Sequence, residues 1–159
     1  MLKYIILILS FQFTLLEAQE INRIGVNDLE GILENPENVV NVVNFWATWC
    51  GPCVTELPYF QEVAGSYKNE NVEFLLISLD FPSQVDSRLK PFLEEKNIEL
   101  PVILMQELDY NKWISLVDPQ WKGNLPATLV FNNAENKRSF VSGAIKKQEL
   151  IDLIEKNLN

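Results

Sequence analysis

The chain has no histidine and only two cysteines among its 159 residues. Without histidine there is no imidazole to ligate a metal, none to act as a general base near neutral pH, and no Ser-His or Cys-His couple. Any proton transfer must use other groups. Basic residues are also scarce: 13 Lys and Arg stand against 22 Asp and Glu, for a formal net charge of −9. Nucleic acids and anionic membrane surfaces are bound through clustered Lys and Arg, so neither is an expected partner. The chain also lacks a long uninterrupted hydrophobic run. Tyr4 to Leu16 is the most apolar stretch, but Ser10, Gln12 and Thr14 break it, and it falls short of the roughly 20 apolar residues that span a bilayer. No repeat, low-complexity tract or long linker marks a second domain.

With Lys3 ahead of that stretch and Leu16-Glu17-Ala18 after it, residues Met1 to Ala18 read as an export signal. The folded domain is then expected over 19–159. A retained anchor through residues 4–16 is the alternative. Export would place the cysteines where disulfides persist.

The two cysteines stand as Trp49-Cys50-Gly51-Pro52-Cys53, directly after the apolar, β-branched run Val39 to Ala47. Each thiol has one possible intramolecular partner. A loop this short gains little stability from cross-linking, because the entropic benefit grows with loop length. Chemistry is the better reason for the pair.

Val39 to Ala47 has the pattern of a strand buried on both faces. Around it the spacing predicts an extended segment at Ile21–Ile24, helices over Val26–Glu34 and from Cys50 to about Tyr67 with a kink at Pro58, and a strand at Val72–Leu79. An amphipathic helix over Pro82–Asn97, a strand at Pro101–Met105, a short helix over Leu108–Val117 and a loop over Asp118–Leu125 follow. A hairpin, Ala127–Phe131 with Arg138–Ser142, and a helix over Lys146–Leu158 complete the chain. Alternating strands and helices closed by a hairpin and a helix make an α/β sandwich with a central mixed β-sheet.

A helix starting at the Cys pair gives each cysteine a role. Cys50 at the N-terminus faces free N–H groups and the positive end of the helix dipole, which favour its thiolate. Lowering a thiol pKa from about 8.5 to about 7 takes roughly 2 kcal/mol and makes about half of it thiolate at neutral pH. Cys53, three residues on, projects from the same side of the first turn and can close the disulfide with little backbone movement. Pro52 suits the first turn, where its missing N–H costs nothing. Trp49 offers a flat apolar face beside the nucleophile, with core packing as the alternative, whereas Phe45 and Trp46 belong to the buried strand. Trp113 and Trp121 fit packing and a partner-facing surface equally. Glu56 is the one nearby carboxylate before Glu62 able to take a proton from a buried thiol; a solvated position on the helix is the alternative.

In this order, Phe45 to Cys53 followed by Leu125-Pro126-Ala127-Thr128 before a strand resembles the thioredoxin fold. The export signal, Glu56 and Pro58, Ser78-Leu79-Asp80, and the insertion between Pro101 and Leu125 make it look more like the exported TlpA/ResA-type thiol-disulfide oxidoreductases. The resemblance implies a thioredoxin-like three-layer sandwich with an insertion before a cis-Pro loop. It implies Pro126 as a cis-proline facing the disulfide, and Leu125 offering its backbone to substrate beside Trp49, Gly51 and Pro52. By the same resemblance Glu56 tunes the thiols, and Asn44 stands where thioredoxin has a buried Asp. Gly51-Pro52 adds no positive charge, which by resemblance places the couple nearer the reducing potential of about −270 mV than the oxidising one of about −120 mV.

The implied partners are disulfide-bearing exported proteins, apocytochrome c among those of relatives, and a membrane thiol as electron donor. The protein is expected to be monomeric, without cofactor or metal. Two other readings stay open. A soft-metal module could use Cys50 and Cys53, though structural zinc needs four ligands. A binding module could use the disulfide only to pin a turn.

Overall fold

The computed structural model describes residues 20–158, so the proposed signal over residues 1–18 lies outside the described residues. Within it, β1 (Asn22–Ile24), α1 (Val26–Leu33), β2 (Val40–Trp46), α2 (Gly51–Ser66) and β3 (Val72–Ser78) follow the expected order. Next come α3 (Lys90–Glu95), β4 (Val102–Met105), α4 (Ile114–Val117), the hairpin β5 (Ala127–Asn132) and β6 (Lys137–Ser142), and α5 (Lys147–Leu158). The strands form one sheet in the order β1-β4-β3-β2-β5-β6. β1, β4, β3 and β2 run parallel, and β5 and β6 are antiparallel additions.

All seven residues of β2 are buried, because helices cover both sides of the sheet. Val40, Val42 and Trp46 join Leu57, Phe60 and Val63 of α2 and Leu150 and Ile154 of α5 in one core layer. Val43 and Phe45 point the other way, into a layer with Leu29 and Leu33 of α1. These opposite destinations follow from the period of two along a strand. α2 runs unbroken through Pro58.

Two expectations need correction. Pro82–Asn97 is not one helix: a 3-10 turn (Pro82–Gln84) and a π-turn (Val85–Leu89) precede α3. Pro91 is the cause, since its ring collides with the carbonyl four residues back and it has no N–H to give. The wide turn relieves this, the Lys90 N–H reaching the Val85 carbonyl five residues back. Nor is Leu108–Val117 a single short helix. A 3-10 turn (Tyr110–Lys112), capped by the Asp109 side chain at the Asn111 N–H, gives way at Trp113 before α4 begins.

Trp113 leaves helical backbone to bury its indole. It and Trp121 are 0% and 2% exposed and pack on Phe45, with ring centroids 5.9 and 5.0 Å away. Their indole N–H groups donate to the Glu107 and Asn124 carbonyls. The insertion before β5 is thus a lid on the second core layer, and of the two readings of these tryptophans packing is the one realised.

Trp113→Ala is therefore expected to cost about 3–5 kcal/mol of unfolding free energy, as large-to-small core changes do. Urea unfolding measures it; a loss below about 1 kcal/mol, in the range of surface substitutions, would contradict the packing role.

Candidate active site

β2 ends at Trp46 and the chain turns at once, the Cys50 N–H donating to the Ala47 carbonyl at 3.1 Å. Cys50 caps α2 with extended backbone (φ −92°, ψ 100°), and its Sγ accepts the Cys53 N–H at 3.3 Å. The interaction expected to favour a thiolate is therefore present at the sulfur. Cys50 and Cys53 form a disulfide with Cα atoms 5.3 Å apart. Cys50 is 7% exposed and Cys53 0%, so an incoming sulfur can reach only the first. Gly51, Pro52 and Trp49 are exposed around it, Trp49 at 48%.

The Leu125–Pro126 bond is cis. Phe45 pairs with Ala127 across the antiparallel β2–β5 ladder, which sets Pro126 level with Trp46, at the end of the sheet where the cysteines emerge. Leu125 is half-buried and packs against both core layers.

Glu56 is buried at 2% exposure, which removes the alternative of a solvated helix position. Its Oε1 accepts from Asn44 Nδ2 at 2.9 Å and its Oε2 from the Ile145 backbone N–H at 2.9 Å. Burial disfavours the charged carboxylate and raises its pKa above the ordinary 4.5, against the pull of the Ile145 and Asn44 hydrogen bonds. Asn44 also donates to Thr128 Oγ1 at 3.0 Å, while its own Oδ1 is buried without a partner among the described residues.

Sequence reasoning missed Thr128 and the Ile145 backbone as members of this row. Asn44 and Thr128 face each other in the ladder, so two polar residues at matching places in otherwise apolar strands were the available signal. A second polar group, Asp80 with Thr48 and Ser78, entered only as part of a resemblance. Among the described residues no three His, Cys, Asp or Glu side chains cluster so as to hold a metal ion.

A mixed sheet with a cross-linkable Cys-x-x-Cys pair at the N-terminus of α2, beside a cis-proline, defines a thioredoxin-fold protein. The chain belongs to the AhpC/TSA family, which matches residues 10–137. It is 30% identical over 134 residues to the thiol-disulfide oxidoreductase ResA of Oceanobacillus iheyensis, covering 84% of this chain and 62% of that one. The chain thus spans less than two thirds of that relative's length. With ResA of Bacillus thuringiensis it shares 28% identity over 82% of this chain and 72% of the relative. Among solved structures, a thioredoxin-related protein from Neisseria meningitidis serogroup B superposes with a TM-score of 0.66 at 25% identity, over 79% of this chain and 89% of that one.

The raised Glu56 carboxyl has a consequence for stability. Between pH 4.5 and its folded value, the unfolded chain has lost this proton and the folded chain keeps it, so wild-type stability falls as pH rises through that window. Glu56→Gln has no proton to lose. Urea midpoints of both proteins from about pH 4 to about pH 8 should converge or cross as the wild type loses stability relative to the variant. Parallel curves would show that Glu56 ionises as an ordinary carboxyl.

Proposed function

We propose that this chain is an exported thiol-disulfide oxidoreductase that reduces disulfides of other exported proteins. The observation that carries this reading is the asymmetry of the pair: Cys50 reaches the surface at a helix N-terminus and Cys53 lies wholly buried behind it. The curated relatives named thiol-disulfide oxidoreductase ResA support it.

In the reduced pair the Cys50 thiolate attacks one sulfur of a target disulfide, forming a mixed disulfide and releasing the other target sulfur as a thiolate. Cys53, once deprotonated, attacks Cys50 Sγ, frees the second target sulfur and regenerates the Cys50–Cys53 disulfide. Two electrons pass to the target. Glu56, on α2 three residues beyond Cys53, is the proton acceptor for Cys53; a carboxyl held above its ordinary pKa is better matched to a thiol than a solvated one. Trp49, Gly51, Pro52 and the Leu125 backbone beside Pro126 form the surface on which the target segment lies.

Each turnover leaves the pair oxidised, so a thiol donor must recharge it; a membrane dithiol suits a protein outside the cytoplasm. No helix among the described residues is long and apolar enough to cross a membrane.

Cys50→Ser is expected to lose disulfide-reducing activity by at least about 10³-fold, the scale of nucleophile removal. Cys53→Ser should accumulate a mixed disulfide on Cys50, read by non-reducing gels and mass spectrometry. Activity retained by Cys50→Ser would overturn the assignment.

A further inference from the structure

Asp80 follows β3 and is fully buried. Its two oxygens grip the turn that presents Cys50: Oδ2 accepts the Thr48 N–H at 3.0 Å and Oδ1 accepts the Thr48 hydroxyl at 2.5 Å. Ser78, whose Oγ receives the Asp80 N–H, donates its own hydroxyl to Oδ2 at 2.8 Å. Three donors converge on the side chain. The short O–H···O contact has the length of a charge-assisted hydrogen bond to a carboxylate. Among the described residues no Lys or Arg forms an ion pair with it. Its hydrogen-bonding neighbours, Thr48 on the β2–α2 turn and Ser78 on β3, are uncharged, and the other buried carboxyl, Glu56 on α2, is bonded elsewhere.

An uncompensated negative charge therefore lies two residues of chain from the nucleophile. Two residues span at most about 7 Å, so with the hydrogen bond and the Cys50 side chain added the carboxylate lies within roughly 10–15 Å of the sulfur. At an effective dielectric of about 20, a unit charge at about 10 Å biases an ionisation roughly tenfold.

We propose that Asp80 sets the redox poise of the pair: it holds the Cys50 turn in place, and its charge disfavours the Cys50 thiolate, so that the dithiol gives up its electrons more readily. This inference rests on Cys50 being the nucleophile. It goes beyond that reading by assigning the direction of electron flow to a named residue. The helix N-terminus favours the thiolate and Asp80 opposes it; the balance leaves a nucleophile reactive enough to attack and a disulfide stable enough to be the preferred product.

Asp80→Asn isolates the charge. The amide oxygen can replace Oδ2 toward the Thr48 N–H and the Ser78 hydroxyl, and the amide nitrogen can donate to Thr48 Oγ1, so every hydrogen bond of the turn is kept. The full chain, wild type and variant, is reduced, and alkylation of Cys50 by iodoacetamide is followed against pH. The equilibrium in which the oxidised pair and two glutathione thiols give the dithiol and glutathione disulfide is measured at about pH 8, where a thiol lowered to about 7 is ionised. The alkylation midpoint should fall by about one pH unit in the variant. The equilibrium should move about tenfold toward the dithiol, or about 30 mV for two electrons.

A purely structural Asp80 moves neither quantity, and unchanged values in a folded Asp80→Asn would overturn the proposal. Should that variant not fold, Thr48→Val deletes one donor and leaves the charge less quenched. Its alkylation midpoint should rise, and one that stays or falls refutes the proposal. Peptide mapping keeps the two failures apart: label on Cys53 rather than Cys50 would remove the nucleophile assignment and this inference with it, whereas label on Cys50 with an unmoved midpoint removes only the role of Asp80.

Discussion

Burial of β2 on both faces is the constraint from which the site follows. A strand that must satisfy two apolar layers has no freedom of register, because a slip of one residue would send Val42 and Trp46 into the layer of Phe45 and expose Asn44 to different neighbours. Each of its large side chains gains roughly 1.5–3 kcal/mol by leaving water. With the register fixed, the strand's C-terminal end is fixed too. The Ala47–Cys50 turn, the start of α2 and the Pro126 segment of β5 all come to that end of the sheet. The chemistry is placed by packing.

The same core holds two carboxyl groups in different hydrogen-bonding settings, and neither forms an ion pair among the described residues. Burying an unpaired charge is costly, so hydrogen bonding must decide each case. Glu56 receives one donor per oxygen, and its burial outweighs them, raising its pKa. Asp80 receives three donors over its two oxygens, one of them at 2.5 Å. The roles proposed for them divide in the same way, proton exchange at Glu56 and a held charge at Asp80. The row also retains one orphan, Asn44 Oδ1, a buried acceptor of a kind that costs about 1–3 kcal/mol. An unsatisfied atom beside the titratable Glu56 is the sort of local expense that functional sites keep.

How much of this could be read from the residues depends on how local each signal was. The strands, the helix at the Cys pair and the β5–β6 hairpin were legible because periodicity and turn chemistry act over a few neighbours; Asn136, at φ 51°, is one such turn residue. The breaks around Pro91 and Trp113 were not, although both prolines and aromatics were in view. Apolar spacing over Pro82–Asn97 fits a helix, and only the i−4 clash of Pro91 converts it into a π-turn followed by α3. Trp113 and Trp121 face Phe45, more than sixty residues away in sequence, and no local rule announces that partner. Glu56 and Asp80 needed the same long-range knowledge. Their burial and their donors come from β2, from the segment after β6, and from the turn before α2.

The reducing direction proposed for the pair has two origins in the chain, and they act differently. Gly51-Pro52 between the cysteines works by omission: it brings no positive charge to favour the thiolate, so the reduced form gains nothing beyond the helix N-terminus. Asp80, in the role proposed for it, works by addition, and it does so from behind the turn, where target proteins do not reach. In the proposed mechanism a dipeptide between the cysteines lies on the surface that targets touch and must serve recognition as well as potential. A buried carboxylate just past the end of the adjacent strand is free of that demand. Poise set from within the core would leave the proposed target surface of Trp49, Gly51, Pro52 and Leu125 to be shaped by what it binds, and in a chain without histidine the two buried carboxyls are the groups to which the proposed mechanism gives both tasks: proton transfer at Glu56 and potential at Asp80.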